Sequence, residues 1–303
     1  MSGGPFFPER QAQEYTGQQI HVCYLIPWFK QVLAFETYMY GEGADEDTTV
    51  AGIISGRARK NSTGGIVAVT NTGNDENWTG NDLAAANLYG FGRLAWNTEL
   101  SAEEIAREWI QLTFGCDEKI ETTILDILNT SWPTYEKYTS PLGIGWMVTP
   151  HEHYGPNIEG YEYDRWGTYI RADWQGLGVE RGPEGTGYSL QYNSPNKEMY
   201  SNPETTPDEL LLFFHKMPYT HVLKSGKTII QHIYDTHFEG YEEVKAMRAK
   251  WDGLKGIIDE RAFENVAKRF ELQEANAREW CDIVNSYFYR RCGIADDKGR
   301  TIY

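Results

Sequence analysis

The sequence predicts a mostly helical chain with one strand–loop–helix unit near its front. Three observations carry this. Helix starts with readable caps recur from Ser101 onward, the stretch Asp259 to Arg291 contains neither proline nor glycine, and a glycine-opened apolar run, Gly64 to Asn71, precedes a polar loop. With 303 residues, of which 40% are hydrophobic, the chain can fill one large core or two ordinary ones.

Taken in order, His21 to Ile26 and Phe29 to Tyr38 are apolar and aromatic without a clean period, so no element is assigned to them. Gly41 to Thr49 is an acidic loop. Gly64 to Asn71, GGIVAVTN, has the continuous apolar pattern of a buried parallel strand; Thr72 to Asn81 is a Gly/Asn/Asp loop, and Asp82 to Trp96 opens with helix-forming Leu and Ala. Ser101 and Glu104 form a capping box, in which each side chain satisfies a backbone donor at the helix start, and Ile105, Trp109 and Leu112 share one face. Ile120, Ile124, Ile127 and Leu128 continue the helical period until Pro133, which is expected to stop it. From Tyr135 to Tyr200 the chain is rich in Gly, Pro, Tyr and Trp and has little periodicity, the mark of a functional segment or one packed on another domain. Thr206, Pro207 and Glu209 signal a helix start before Leu210 to Phe214. In the final run Phe263, Val266, Phe270, Ala277, Cys281, Val284 and Phe288 recur at three- and four-residue steps, giving one helix of ~45 Å whose stripe faces the core or an oligomer seam, with core favoured.

Composition narrows the function classes. A formal charge of −16 argues against nucleic acid or an anionic membrane as partner, because both reward Lys and Arg. No window approaches the ~20 apolar residues of a membrane span, and the first residues lack the pattern of a signal peptide, so a cytoplasmic protein is expected. Cys23, Cys116, Cys281 and Cys292 form no CxxC pair and fit free thiols in a reducing compartment. SGKT at Ser225 to Thr228 lacks the earlier glycine of a phosphate-binding loop, and His151, Glu152 and His153 lack metal-ligand spacing. Neither a cofactor nor a metal is expected. Aromatic residues reach 14%, with 10 Trp and 20 Tyr; most are assigned to the core and a minority to platforms for sugar rings.

Six strings are more specific: QEYTGQ (13–18), GNDENWTGNDLAAANLYGFGRLAWN (73–97), YEKYTSPLGIGWMV (135–148), HYGPNIEGYEYDRWGTY (153–169), ELLLFFHKMPYTHVLKSGKTIIQHIYDTHFEG (209–240) and NSYFYRRCGI (285–294). Together they resemble the α-glucuronidases of glycoside hydrolase family 67. The resemblance implies a mostly α chain in which residues 1–97 are the terminal βα portion of an incomplete (β/α)8 catalytic barrel and residues 98–303 an α-helical C-terminal domain. It also implies hydrolysis, with inversion, of (4-O-methyl)glucuronic acid from glucuronoxylan-derived oligosaccharides, and a homodimer joined through the helical domain. The resemblance places the family's acid-donating glutamate, one of its two water-orienting carboxylates and its uronate-binding basic residues in a part outside these 303 residues, so the chain alone is expected to be inactive. The alternative role is a non-catalytic dimerisation or carbohydrate-binding module.

Two residues inherit roles from the resemblance. A water-activating carboxylate of the family falls on Glu14 in the QEY string. Inversion needs such a carboxylate across the sugar from the acid, ~6.5–9.5 Å away, and barrel enzymes mount it where a strand exits into a loop. The other reading of Glu14 is an ordinary surface glutamate. A substrate-stacking tryptophan of the family falls on Trp166 in YDRWGTY, whose other reading is packing against Tyr163 or Tyr169.

Overall fold

The structure is a computed structural model and describes residues 20–39, 47–58, 64–68, 75, 77, 80–145, 147–150, 152–160 and 170–302. Nine α-helices are named among them: α1 Ile26–Ala34, α2 Val50–Ile54, α3 Ala85–Trp96, α4 Ala102–Phe114, α5 Glu118–Thr139, α6 Asn196–Ser201, α7 Leu211–Phe214, α8 Ile229–Asp252 and α9 Glu260–Cys292. Among the described residues the one sheet is an antiparallel pair, β1 Gly176–Leu177 on β2 Met217–Pro218. The fold is mostly helical.

The long helices start where their caps dictate. Ser101 Oγ accepts from Glu104 N–H and the Glu104 carboxylate accepts from Ser101 N–H, completing the predicted box. Asp117, Thr228 and Asp259 cap α5, α8 and α9 in the same manner, each accepting a first-turn N–H. Gly226, at φ +82°, turns the chain just ahead of the Thr228 cap, so the SGKT string is a turn and a helix cap. α9 spans 33 residues, about 50 Å, ends at Gly293 in the left-handed region, and buries the predicted stripe from Phe263 to Phe288. Its first turns fold back on α8, where Trp251 stacks on Phe263 with ring centroids 6.1 Å apart and donates through Nε1 to the Phe263 carbonyl.

Four expectations need correction. α5 does not stop at Pro133; it continues to Thr139. Proline inside a helix costs about 3 kcal/mol. Beyond it, Tyr135 and Tyr138 are fully buried, and Gly240 of α8 admits Tyr138 so closely that a Cβ there would lie 2.9 Å from it. Burial of two rings outweighs one lost hydrogen bond. Leu112 leaves the α4 face and is 72% exposed. At 100° per residue it lies about 90° from the centre of the buried arc of Ile105, Ala106, Trp109 and Ile110. Thr206 does not cap a helix: its hydroxyl donates to the Met199 and Asn202 carbonyls and meets the His215 ring at 3.0 Å, and a 3₁₀ turn, Asp208–Leu210, leads into α7. The described part of the expected strand, residues 64–68, is not in a sheet, and Val67 is 82% exposed. A parallel strand needs neighbours on its edges and cover on its faces, and no described strand lies beside it.

The organising feature is the irregular segment His21 to Leu25, in which His21, Val22, Cys23 and Tyr24 are buried. Its backbone is served by side chains instead of a ladder. Asn81 Nδ2 donates to His21 O at 2.9 Å. The Gln273 amide clasps Val22 at both ends, accepting from N–H at 3.0 Å and donating to C=O at 3.1 Å. Asn87 does the same for two residues, donating to Cys23 O at 2.8 Å and accepting from Leu25 N–H at 2.7 Å. Ser131 Oγ accepts from Tyr24 N–H at 2.8 Å.

Gln273 is the last rung of a polar row on α9, Arg261, Asn265, Arg269 and Gln273, spaced by four residues and therefore on one face. Arg269 and Asn265 donate to the Gly80 carbonyl at 2.7 and 3.0 Å, Asn265 accepts from Asp82 N–H, and Arg261 pairs with the Asp82 carboxylate. The row fixes the two front segments to the helical core.

The tail beyond α9 is fixed by charge. Asp235 of α8 is 1% exposed and ion-paired with Lys227, Lys298 and Arg300, while Arg300 also holds Asp296. Burial alone raises the Asp235 carboxyl, but these cations override it and hold it well below the usual carboxylate range.

Gln273→Leu removes both partners of Val22 and leaves a buried N–H and C=O unmet, at ~1–3 kcal/mol each. We expect its urea midpoint to fall with an unchanged m-value.

Candidate functional site

Glu14 and Trp166 lie outside the described residues, as does His151. What the structure places is the frame from which their two segments depart. Seven residues after Glu14, His21 enters the core at 0% exposure. Its Nε2 is hydrogen-bonded at 3.3 Å to the hydroxyl of Tyr154, which belongs to the string that contains Trp166. The two rings lie 5.6 Å apart and tilted, and Tyr135 stands 6.1 Å from His21 on another side.

Tyr154 is presented by a tight turn. Thr149 N–H donates to Gly155 O at 3.0 Å, Val148 pairs with Pro156, and His153 and Gly155 both take positive φ. Further along, Glu159 is held by Arg291 and by the Tyr287 hydroxyl of α9. On the other side of residues 161–169, Ile170 is 1% exposed and its carbonyl accepts from Gly178 N–H at 2.8 Å. Both flanks of the YDRWGTY string are therefore anchored.

The electrostatics of this frame fix a protonation state. Burial, and secondly the Arg269 guanidinium, push the His21 pKa down to about 3. Its Nδ1 has no hydrogen-bond partner among the described residues. His237 of α8, also fully buried, is lowered to about 4 by burial, and its Nδ1–H donates to the Ile233 carbonyl at 2.8 Å. Both imidazoles are neutral at physiological pH. The four cysteines are free, and burial pushes the Cys281 thiol up to about 12. Among the described residues no group of three or more His, Cys, Asp or Glu is arranged to hold a metal ion, and no helix is long and apolar enough to cross a membrane.

Sequence reasoning missed His21, Tyr154, Asn81, Asn87 and Gln273. A signal was present for some of them. Gln273 and Asn276 interrupt the apolar stripe of α9 at buried positions, and Asn81 and Asn87 flank an otherwise apolar LAAA run. Polar groups at core positions mark backbone that must be satisfied from outside its own element.

Residues 79–301 match the family described as Glycosyl hydrolase family 67 C-terminus, and residues 6–78 match its middle domain. The chain belongs to glycosyl hydrolase family 67. Among its relatives, Alpha-glucuronidase A of Emericella nidulans is 41% identical over 290 residues, 95% of this chain and 34% of the relative. Alpha-glucuronidase A of Aspergillus tubingensis is 40% identical over 291 residues, and Probable alpha-glucuronidase A of Aspergillus flavus 40% over 290, with the same coverage of 95% and 34%. The chain thus spans about a third of the length of the curated relatives it matches.

The buried histidines predict an acid-side loss of stability. Each stays neutral in the fold but binds a proton in the unfolded chain below about pH 6.5, so stability is full above that value and declines as pH falls towards 3–4. The expected slope is ~1.4 kcal/mol per pH unit per histidine. Denaturation midpoints measured from pH 7.5 to 5 should show it, and His21→Leu should flatten it.

Proposed function

We propose that this chain is part of a xylan α-1,2-glucuronosidase that hydrolyses (4-O-methyl)glucuronic acid from glucuronoxylan-derived oligosaccharides with inversion. The observation that carries the reading is 41% identity across 95% of the chain to a relative named Alpha-glucuronidase A, together with matches to both family segments from residue 6 to residue 301. In this reading residues 1–97 are the terminal βα portion of the (β/α)8 barrel and residues 98–303 the helical domain. Glu14 is one of the two carboxylates that orient and activate the attacking water, and Trp166 stacks on the substrate. The His21–Tyr154 hydrogen bond supports this, since it ties the chain just beyond Glu14 to the string that carries Trp166. The site works by acid–base chemistry between carboxyl groups and water, without metal or cofactor, and the free thiols are compatible with a cytoplasmic setting.

The 303 residues alone should release no glucuronic acid, because a general acid contributes ~10²–10⁴-fold and the acid of this reaction is assigned outside them. When they are joined to a family N-terminal part, Glu14→Gln should abolish turnover with little change in substrate affinity, while Trp166→Ala should mainly raise KM. Release of uronic acid by the 303-residue chain, or full turnover by Glu14→Gln, would defeat the assignment.

The same proposal includes a homodimer through the helical domain. Leu272 and Ile283 support it: they are 44% and 39% exposed on α9 and eleven residues apart, which is three turns and hence one face. Light scattering at micromolar concentration should give twice the 34.7 kDa chain mass, and the double variant Leu272→Asp, Ile283→Asp should give the monomer.

A further inference from the structure

We propose that the turn carrying Trp174 is a distal sugar-binding platform, which takes the neutral pyranose backbone of a substrate beyond the sugar assigned to Trp166. The inference rests on the functional reading above and extends it. Trp174 is 75% exposed, and no ring or cation contact to it occurs among the described residues. Its display is not casual, because the turn beneath it is locked from several sides. The Asp173 carboxylate accepts from Gln175 N–H at 2.9 Å and from Gly176 N–H at 3.0 Å. Asp173 N–H donates to Gly176 O, the Tyr219 hydroxyl donates to Asp173 O at 2.8 Å, and Lys216 pairs with the second carboxylate oxygen. The following residues, Gly176 and Leu177, are strand β1, paired with Met217 and Pro218.

An indole held outward on a rigid turn loses little conformational freedom when a flat apolar face settles on it, which is the condition for a stacking platform. The C–H face of a pyranose is such a surface. Exposed Gln175 on the same turn and Lys216, the residue just before β2, can donate to ring hydroxyls. Position in the chain favours a sugar over other apolar partners: Trp174 lies eight residues beyond Trp166, and the intervening chain passes through the buried anchor Ile170. Trp96, the last residue of α3, is 88% exposed on another element without such a locked turn, and it serves as the internal control.

The test is binding, so it needs no turnover. Saturation-transfer NMR titrations of the 303-residue chain would compare an aldouronic acid with two xylose units against one with five. The parent should bind the longer ligand about three- to tenfold more tightly, the range of one aromatic contact. Trp174→Ala should erase that gain while leaving affinity for the short ligand unchanged; Trp174→Phe should keep part of it, and Trp96→Ala all of it. Retention of the gain in Trp174→Ala, or equal binding of both ligands by the parent, overturns the platform and leaves the Trp166 assignment standing. If the parent binds neither ligand, the platform falls, because its turn lies wholly within the 303 residues, whereas the functional reading, whose uronate-binding residues are assigned outside them, stands or falls by the turnover of the joined protein.

Discussion

Six backbone groups between His21 and Leu25 are hydrogen-bonded by the side chains of Asn81, Asn87, Ser131 and Gln273, and the rest of the structure is arranged to make that possible. A buried irregular segment must satisfy its amides or forfeit ~1–3 kcal/mol at each. In a sheet the neighbouring strands do this without sequence specificity. Here the donors and acceptors come from three helices and a turn, each of which must be in register. That requirement explains the polar row on α9, the asparagines around the start of α3, and Ser131 in the middle of α5. It also explains why the helical region and the front segments share one core, from Val22 to Phe288.

What the sequence made legible was local. The capping box at Ser101 and the α9 stripe are encoded within a few residues, and each appears where its chemistry places it. Errors arose where a distant partner decides. Pro133 reads as a stop until the tyrosines beyond it and the gap at Gly240 are counted. Residues 64–68 read as a buried strand, yet strand burial belongs to neighbours and not to the strand itself. His21 to Leu25 gave no period because its four buried residues face several elements, so neither a two- nor a 3.6-residue alternation applies.

For the candidate site the balance differs. Family membership was readable from long aromatic strings, because such strings record a packed surface and not a periodicity. The roles proposed for Glu14 and Trp166 rest on that membership, whereas the His21–Tyr154 contact between His21 and the string that carries Trp166 could not be read at all, since nothing local distinguishes a histidine that meets a tyrosine 133 residues away.

The Gln273 clasp has a consequence for how the chain comes into being. Val22 and Gln273 are separated by 251 residues, so during synthesis the front segment must wait, with its amides in water and its apolar side chains uncovered, until most of the chain has left the ribosome. Closing so long a loop adds only slowly growing entropy, so the delay is set by translation more than by the search. The segment around Val22 cannot reach its native pairing before Gln273 has been made. The long helix α9 is the template on which the buried segment His21 to Leu25 is read.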